Sequence, residues 1–197
     1  STAVDFALLK DGKLIELNTE TDNNKFSVGD IFFARVKKPI PGLNAAFVNI
    51  GHEKNGFLHY HDLGAQLLFL LKYVKLINSG KIKNYMLNDF QKEKDIEKDG
   101  KVLDLLKPNQ FILVQIIKEP ISTKGPRISC EISLAGRFMV LIPFSDRVSI
   151  STKIENKEER VRLKRLVNSI KPKNFGVIIR TVAKQKKVAE LDSDLQN

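Results

Sequence analysis

Apolar and polar positions alternate most clearly from Pro41 to Leu58, PGLNAAFVNIGHEKNGFL. Side chains of a strand point to its two faces in turn, so Ala46, Val48 and Ile50 share one side, which reads as a core face. Phe47 and Asn49 then point the other way. Beyond a polar turn, Leu58 and Tyr60 can face inward, which leaves Phe57 and His59 outside. The pattern predicts two short strands, each carrying a phenylalanine on its solvent side.

The same reading extends along the chain. Val4 to Leu9 and Lys13 to Leu17 flank Asp11-Gly12, a strong hairpin signal. A polar stretch, Asn18 to Lys25, precedes the strand IFFARVKK, whose Phe33, Arg35 and Lys37 share a face. Phe111 to Ile117 is a strongly apolar strand that follows the turn Lys107-Pro108-Asn109. Short β elements at this spacing predict a small Greek-key barrel such as the OB-fold. Between about Gly64 and Lys101 the pattern breaks: LLFLLKYVKL is helix-like and the rest is charged, so this reads as a partly helical, partly mobile insertion carried on the barrel. After the polar loop ISTKGPR, RISCEISLAGRFMVLIPF reads as two buried strands around a turn at Gly136. A helix follows, with Asn156 and Glu159 spaced as a capping box and Leu163, Leu166, Val167 and Ile170 as its apolar stripe. Lys171-Pro172 ends it, GVIIRT is a buried strand, and AKQKKVAELDSDL starts another helix. The expected class is α+β, a barrel over residues 30–124 interrupting a mixed unit made of residues 1–29 and 125–197.

Composition narrows the partner. With 33 Lys+Arg against 23 Asp+Glu, the formal charge is +10, which favours a polyanion. Two outward phenylalanines on so basic a chain point to a platform on which bases stack. Cys130 is the single cysteine, so an internal disulfide is excluded; a reducing cytoplasm and a small packed thiol are expected. No apolar run approaches the roughly 20 residues that cross a bilayer, and no signal peptide is visible, so no membrane partner is expected.

The segments RVKKPIPGLNAAFVNIGHEKNGFLHY, KEPISTKGPRISCEISLAGRFMVLIPF and KNFGVIIRTVA together resemble the amino-terminal part of the bacterial ribonuclease E/G family, most of all its ribonuclease G branch. The resemblance covers nearly all of the chain except the charged insertion. It implies an S1-like OB-fold barrel inserted into a ribonuclease-H-like α/β subdomain that has lost ribonuclease H chemistry. It also implies an RNA-binding face formed by Phe47, Phe57 and Lys124, and a pocket for a 5′-monophosphate formed by Gly136, Val140, Arg180 and Thr181. The chemistry is sound for each. A ring stacks on any base, a lysine is a compact charge for the backbone, and a guanidinium offers forked donors to phosphate. Thr181 adds a hydroxyl, while Gly136 and Val140 would act through the backbone. Some relatives carry adjacent arginines where this chain has Thr152 and Lys153, so no further phosphate contact is expected there.

The family cuts single-stranded RNA, in ribosomal RNA processing and messenger decay, with a later domain holding catalytic magnesium (Mg2+) on aspartates. It joins subunits through zinc (Zn2+) on a CPxC-type motif. Neither segment occurs in this sequence, so the resemblance implies an endoribonuclease whose front half is inactive alone and monomeric or weakly dimeric, though the full-length protein is a homo-oligomer. Other sites read as bland. His59, His61 and Asp62 could hold zinc but lack further ligands and read as polar edge residues. Asp192 and Asp194 read as the polar face of a terminal segment. A non-enzymatic OB-fold RNA-binding module fits the barrel equally well; the GVIIRT pocket separates the two readings. An assembly role has neither heptads nor repeats in its support.

Overall fold

A computed structural model describes residues 3–10, 13–21, 26–80, 86–121 and 123–196. The first strands, β1 (Ala3–Lys10) and β2 (Lys13–Thr21), pair antiparallel as a two-stranded sheet; the Asp11-Gly12 turn lies outside the described residues.

Strands β3 (Ile31–Ile40), β4 (Ala45–Asn49), β5 (Gly56–His59), β6 (Phe111–Lys118) and β7 (Arg127–Ser129) close into a barrel in the order β3-β4-β5-β7-β6. Every pair is antiparallel except β5 with β7. This ring is consistent with an OB-fold. Alternation builds it: Ala34, Val36, Ala46, Val48, Leu58, Ile112, Val114, Ile116 and Ile128 fill the interior. The closing strand lies beyond residue 124, where the sequence reading ended the barrel. Its three residues follow a polar loop, and so short a strand carries too little alternation to announce itself.

The segment expected as an insertion is integral to this core. Helix α1 (Leu67–Asn78) buries Leu67, Phe69, Leu70 and Val74 in the barrel cluster. The chain after residue 85 is tied back by directed bonds. Ile96 N donates to Ala65 O at 2.8 Å, Tyr60 Oη to Glu97 O at 2.6 Å, and Asn44 Nδ2 to Gly100 O at 3.0 Å. Asn44 Oδ1 accepts from Val102 N at the start of the short helix α2 (Val102–Leu105).

A second sheet has the order β10-β11-β9-β8, from β8 (Leu134–Ala135), β9 (Met139–Pro143), β10 (Val148–Ile150) and β11 (Phe175–Ile179). Helix α3 (Lys157–Ile170) joins the parallel pair β10 and β11, the connection that parallel strands need. Its Leu163 and Val167 are fully buried, with Leu166 and Ile170 packed alongside. Helix α4 (Val188–Gln196) adds Leu191 to the same core. Of the stretch read as two strands around Gly136, the first part, Arg127–Ser129, belongs to the barrel, and only the very short β8 pairs with β9.

Phe144, the residue after β9, packs into the barrel core. It sits at φ 65°, a left-handed conformation that costs a residue with a Cβ, and its ring packs edge-on against Phe69 at 5.5 Å and Tyr73 at 5.3 Å. Buried Asn174 adds a polar link, its Nδ2 donating to Leu87 O and Phe90 O at 2.8 Å each.

Candidate nucleic-acid interface

The β4–β5 register sets Phe47 opposite Phe57. Phe47 is 37% exposed and Phe57 half-buried; their rings meet edge to face, 6.1 Å between centroids and 66° between planes. The inward set is as the alternation predicts, with Ala46, Val48, Ile50, Leu58 and Tyr60 all buried. Both rings and Lys124 line a cleft of about 850 Å³. The cleft also carries Lys54, Lys118 and Arg127 against Glu53 and Glu119. Arg127 is held by a forked pair to Asp62, at 2.9 and 3.1 Å.

The loop bearing Lys124 is anchored from both ends. Ile121 and Lys124 exchange backbone hydrogen bonds at 3.1 and 2.8 Å, and Phe57 N donates to Pro126 O at 2.8 Å. Gly125 permits the approach, since a Cβ there would lie 2.1 Å from Asn55 O. Chemically the cleft offers π-faces with cations beside them, which suits unpaired nucleotides.

Gly136, Val140, Arg180 and Thr181 converge on one corner of the second sheet. Val140 lies mid-sheet between Ala135 of β8 and Ile178 of β11. Arg180 is the residue at which β11 stops. Its N donates to Phe138 O at 2.9 Å and its Nη1 to Gly136 O at 2.7 Å. Among the described residues no carboxylate pairs with this exposed guanidinium. Thr181 opens a 3-10 turn and shares a hydrogen bond of 3.0 Å with the Ser151 hydroxyl. Thr152 and Lys153 follow directly on Ser151.

Asp194 reaches this corner unexpectedly. Read from the sequence as a polar-face residue, its carboxylate accepts from Arg137 N at 2.8 Å, Phe138 N at 2.8 Å and Met139 N at 3.0 Å. Three successive backbone donors around one anion form a nest that fixes the turn presenting the Gly136 carbonyl to Arg180. A Cβ at Gly136 would stand 2.8 Å from Asp194 Oδ2, so a larger residue here would push that carboxylate from its place. No local signal in LDSDL foretells this role, which depends on α4 docking against β9.

The remaining candidates are structural. His59 Nδ1 accepts from His61 N at 3.2 Å, capping a 3-10 turn, while Asp62 is taken up by Arg127. Burial pushes the Cys130 thiol up to about 12, so it stays protonated and unreactive. Asn156 caps α3 by accepting from Glu159 N at 3.0 Å. In place of the expected reciprocal bond, Glu159 accepts from Arg162 one turn on and from Gln185 N, 26 residues away, at 2.7 Å, and these partners lower its carboxyl to about 2.

The barrel, its basic aromatic cleft and the second sheet define a class, the OB-type barrel proteins joined to an α/β unit. The chain is similar to the ribonuclease E/G family. Residues 133–197 match that family, described as the Ribonuclease E/G family. The chain is 38% identical to ribonuclease E of Synechocystis sp. over 86% of its own length and 21% of the relative's. It is 32% identical to ribonuclease G of Escherichia coli over 95% of its length and 35% of the relative's. With ribonuclease G of Haemophilus influenzae it shares 34% over 96% and 35%. The chain thus spans between about a fifth and a third of the length of these curated relatives.

Proposed function

We propose that this chain is the RNA-binding, 5′-monophosphate-sensing amino-terminal part of a ribonuclease G-like endoribonuclease that acts on single-stranded RNA in the cytoplasm. The observation that carries the reading is the convergence of Phe47, Phe57 and Lys124 on one cleft. Unpaired bases stack on the two rings, at about 1–3 kcal/mol per base, while Lys124 holds the backbone. The second sheet and its helices play the part of the ribonuclease-H-like subdomain.

At the other corner, the 5′-phosphate sits against Arg180 and Thr181. Gly136 O orients the guanidinium through Nη1, leaving the other N–H groups to fork onto phosphate oxygens. A triphosphate end is bulkier and differently charged and fits less well. Hydrolysis belongs to a later segment of the full-length enzyme, where magnesium supplies an activated water; zinc joins the subunits of a homo-oligomer. Neither ion is assigned to the described residues. Cys130 is buried, and they contain no group of three His, Cys, Asp or Glu side chains able to hold a metal.

The test compares 5′-phosphorylated and 5′-hydroxyl oligonucleotides of one sequence, with Arg180→Gln as control. Tighter binding of the phosphorylated strand, lost in the variant, is expected. No preference, or one that survives the substitution, removes the sensor assignment. The chain alone is expected to leave RNA uncut with magnesium present.

A further inference from the structure

A second aromatic group stands on the barrel away from the cleft. Phe33 of β3 is 52% exposed, and its ring stacks on Phe111 of β6, centroids 5.0 Å apart and planes 6° from parallel. The Arg35 guanidinium lies over the Phe111 ring, 4.7 Å from its centroid. The interior does not require this arrangement, since Ala34 and Val36 fill it from the opposite side of β3. A near-parallel ring pair with a wide exposed face and a planar cation is a surface on which a further flat π-system can stack.

The side chains lining the hollow beside these rings are basic where they are charged. Between α1 and the chain leading into β6 opens a hollow of about 710 Å³, bordered by Phe111 together with Lys72, Lys75 and Lys107, and among the described residues no carboxylate lines it. Lys72 is already paired with Glu93. Among the described residues Arg35, Lys75 and Lys107 enter no ion pair.

The patch is continuous with the cleft. Arg35 lies opposite Phe111 on one side and Asn49 on the other, and Phe47 is the next outward residue along β4. Strand spacing and rise put Phe111 about 12 Å from Phe47 over this outer surface. A short extended oligonucleotide covers that distance.

We propose that Phe33, Phe111 and Arg35, with Lys75 and Lys107, form a second single-stranded nucleic-acid subsite that extends the cleft. An unpaired base stacks on Phe33, and the lysines take the phosphates beyond it. The proposal rests on reading the cleft as an RNA contact. A protein partner is disfavoured because the core of a protein interface is depleted of charge, whereas this hollow concentrates unpaired cations.

The test measures binding of the chain to labelled oligouridylates of about two nucleotides, too short to run from Phe47 to Phe111, and of about fifteen, near the upper range of OB-fold site sizes. Phe33→Ala is expected to weaken the longer strand about tenfold, the loss of one stacked base, and to leave the shorter within about twofold. Phe33→Leu, which keeps the bulk on Phe111, is expected to do the same. Lys75→Ala with Lys107→Ala is expected to reduce the salt slope for the longer strand by about 1.4. Phe47→Ala weakens both lengths. If both Phe33 variants hold their unfolding midpoint and bind the longer strand as the wild type does, the subsite is refuted while the cleft stands. Equal losses at both lengths also refute it. So does unchanged RNA binding with lost self-association in sedimentation, which would make the patch a protein contact. A wild type that binds neither strand overturns the cleft reading as well.

Discussion

Glu159 shows how much a single side chain can tie together. Its carboxylate joins Arg162 within α3 to the backbone of Gln185, beyond the turn that begins at Thr181. The Arg162 hydrogen bonds chiefly hold it near 2, below its ordinary 4.5. A depressed carboxyl contributes stability above its unfolded value, and that contribution disappears as pH falls through the folded one. Glu159→Gln is therefore expected to lower the thermal midpoint at neutral pH, with the gap from wild type closing as pH falls from about 4.5 to about 2. Circular dichroism melts across that window measure it, and a gap of constant size would contradict the account. The sequence revealed only part of this residue. Its spacing from Asn156 disclosed the cap, but its partners lie 3 and 26 residues away, and the second is set by tertiary packing. Asp194 was unreadable for the same reason, because its three donors are more than fifty residues away in the chain. Phe47 and Phe57 were readable because period-two alternation is local.

At the scale of elements, strands with several alternating positions declared themselves and short ones did not. β4 and β6 carry enough apolar positions to read, whereas β7 has three residues and borrows its identity from its neighbours β5 and β6. Helix α1 was visible as a helix but not as barrel core, since an apolar run does not say what it packs against. The loop from Ile121 to Gly125 depends on a glycine that no pattern marks. Gly125→Ala is expected to cost about 1–3 kcal/mol, because the added methyl meets the Asn55 backbone rather than a side chain that can swing away. It should also move Lys124 off the cleft and weaken RNA binding. Gly42→Ala, where a Cβ meets nothing within 4 Å, is the neutral control. Urea unfolding of both variants decides, and equal midpoints would disprove the close approach.

For the molecule as a whole, the joint between barrel and second sheet includes Phe144 and Asn174, beside the ion pairs Lys92–Asp146 and Arg147–Asp95. Removing the Phe144 ring empties a site between Phe69 and Tyr73 while a left-handed backbone remains. Phe144→Ala is expected to cost about 3–5 kcal/mol. It should also split a single unfolding transition into two as the cores separate, which calorimetry would register; one undivided transition would argue that the cores do not depend on this joint. Asn174 reaches 84 and 87 residues back to its partners, so no sequence window shows the joint. The corner at Gly136 carries a related consequence for synthesis. Its carbonyl meets a guanidinium translated 44 residues later, and the turn is locked by a carboxylate emerging 57 residues after Arg137. On the ribosome this corner therefore cannot set until Asp194 has emerged, and a nascent chain that has released Arg180 but not Asp194 carries it unset.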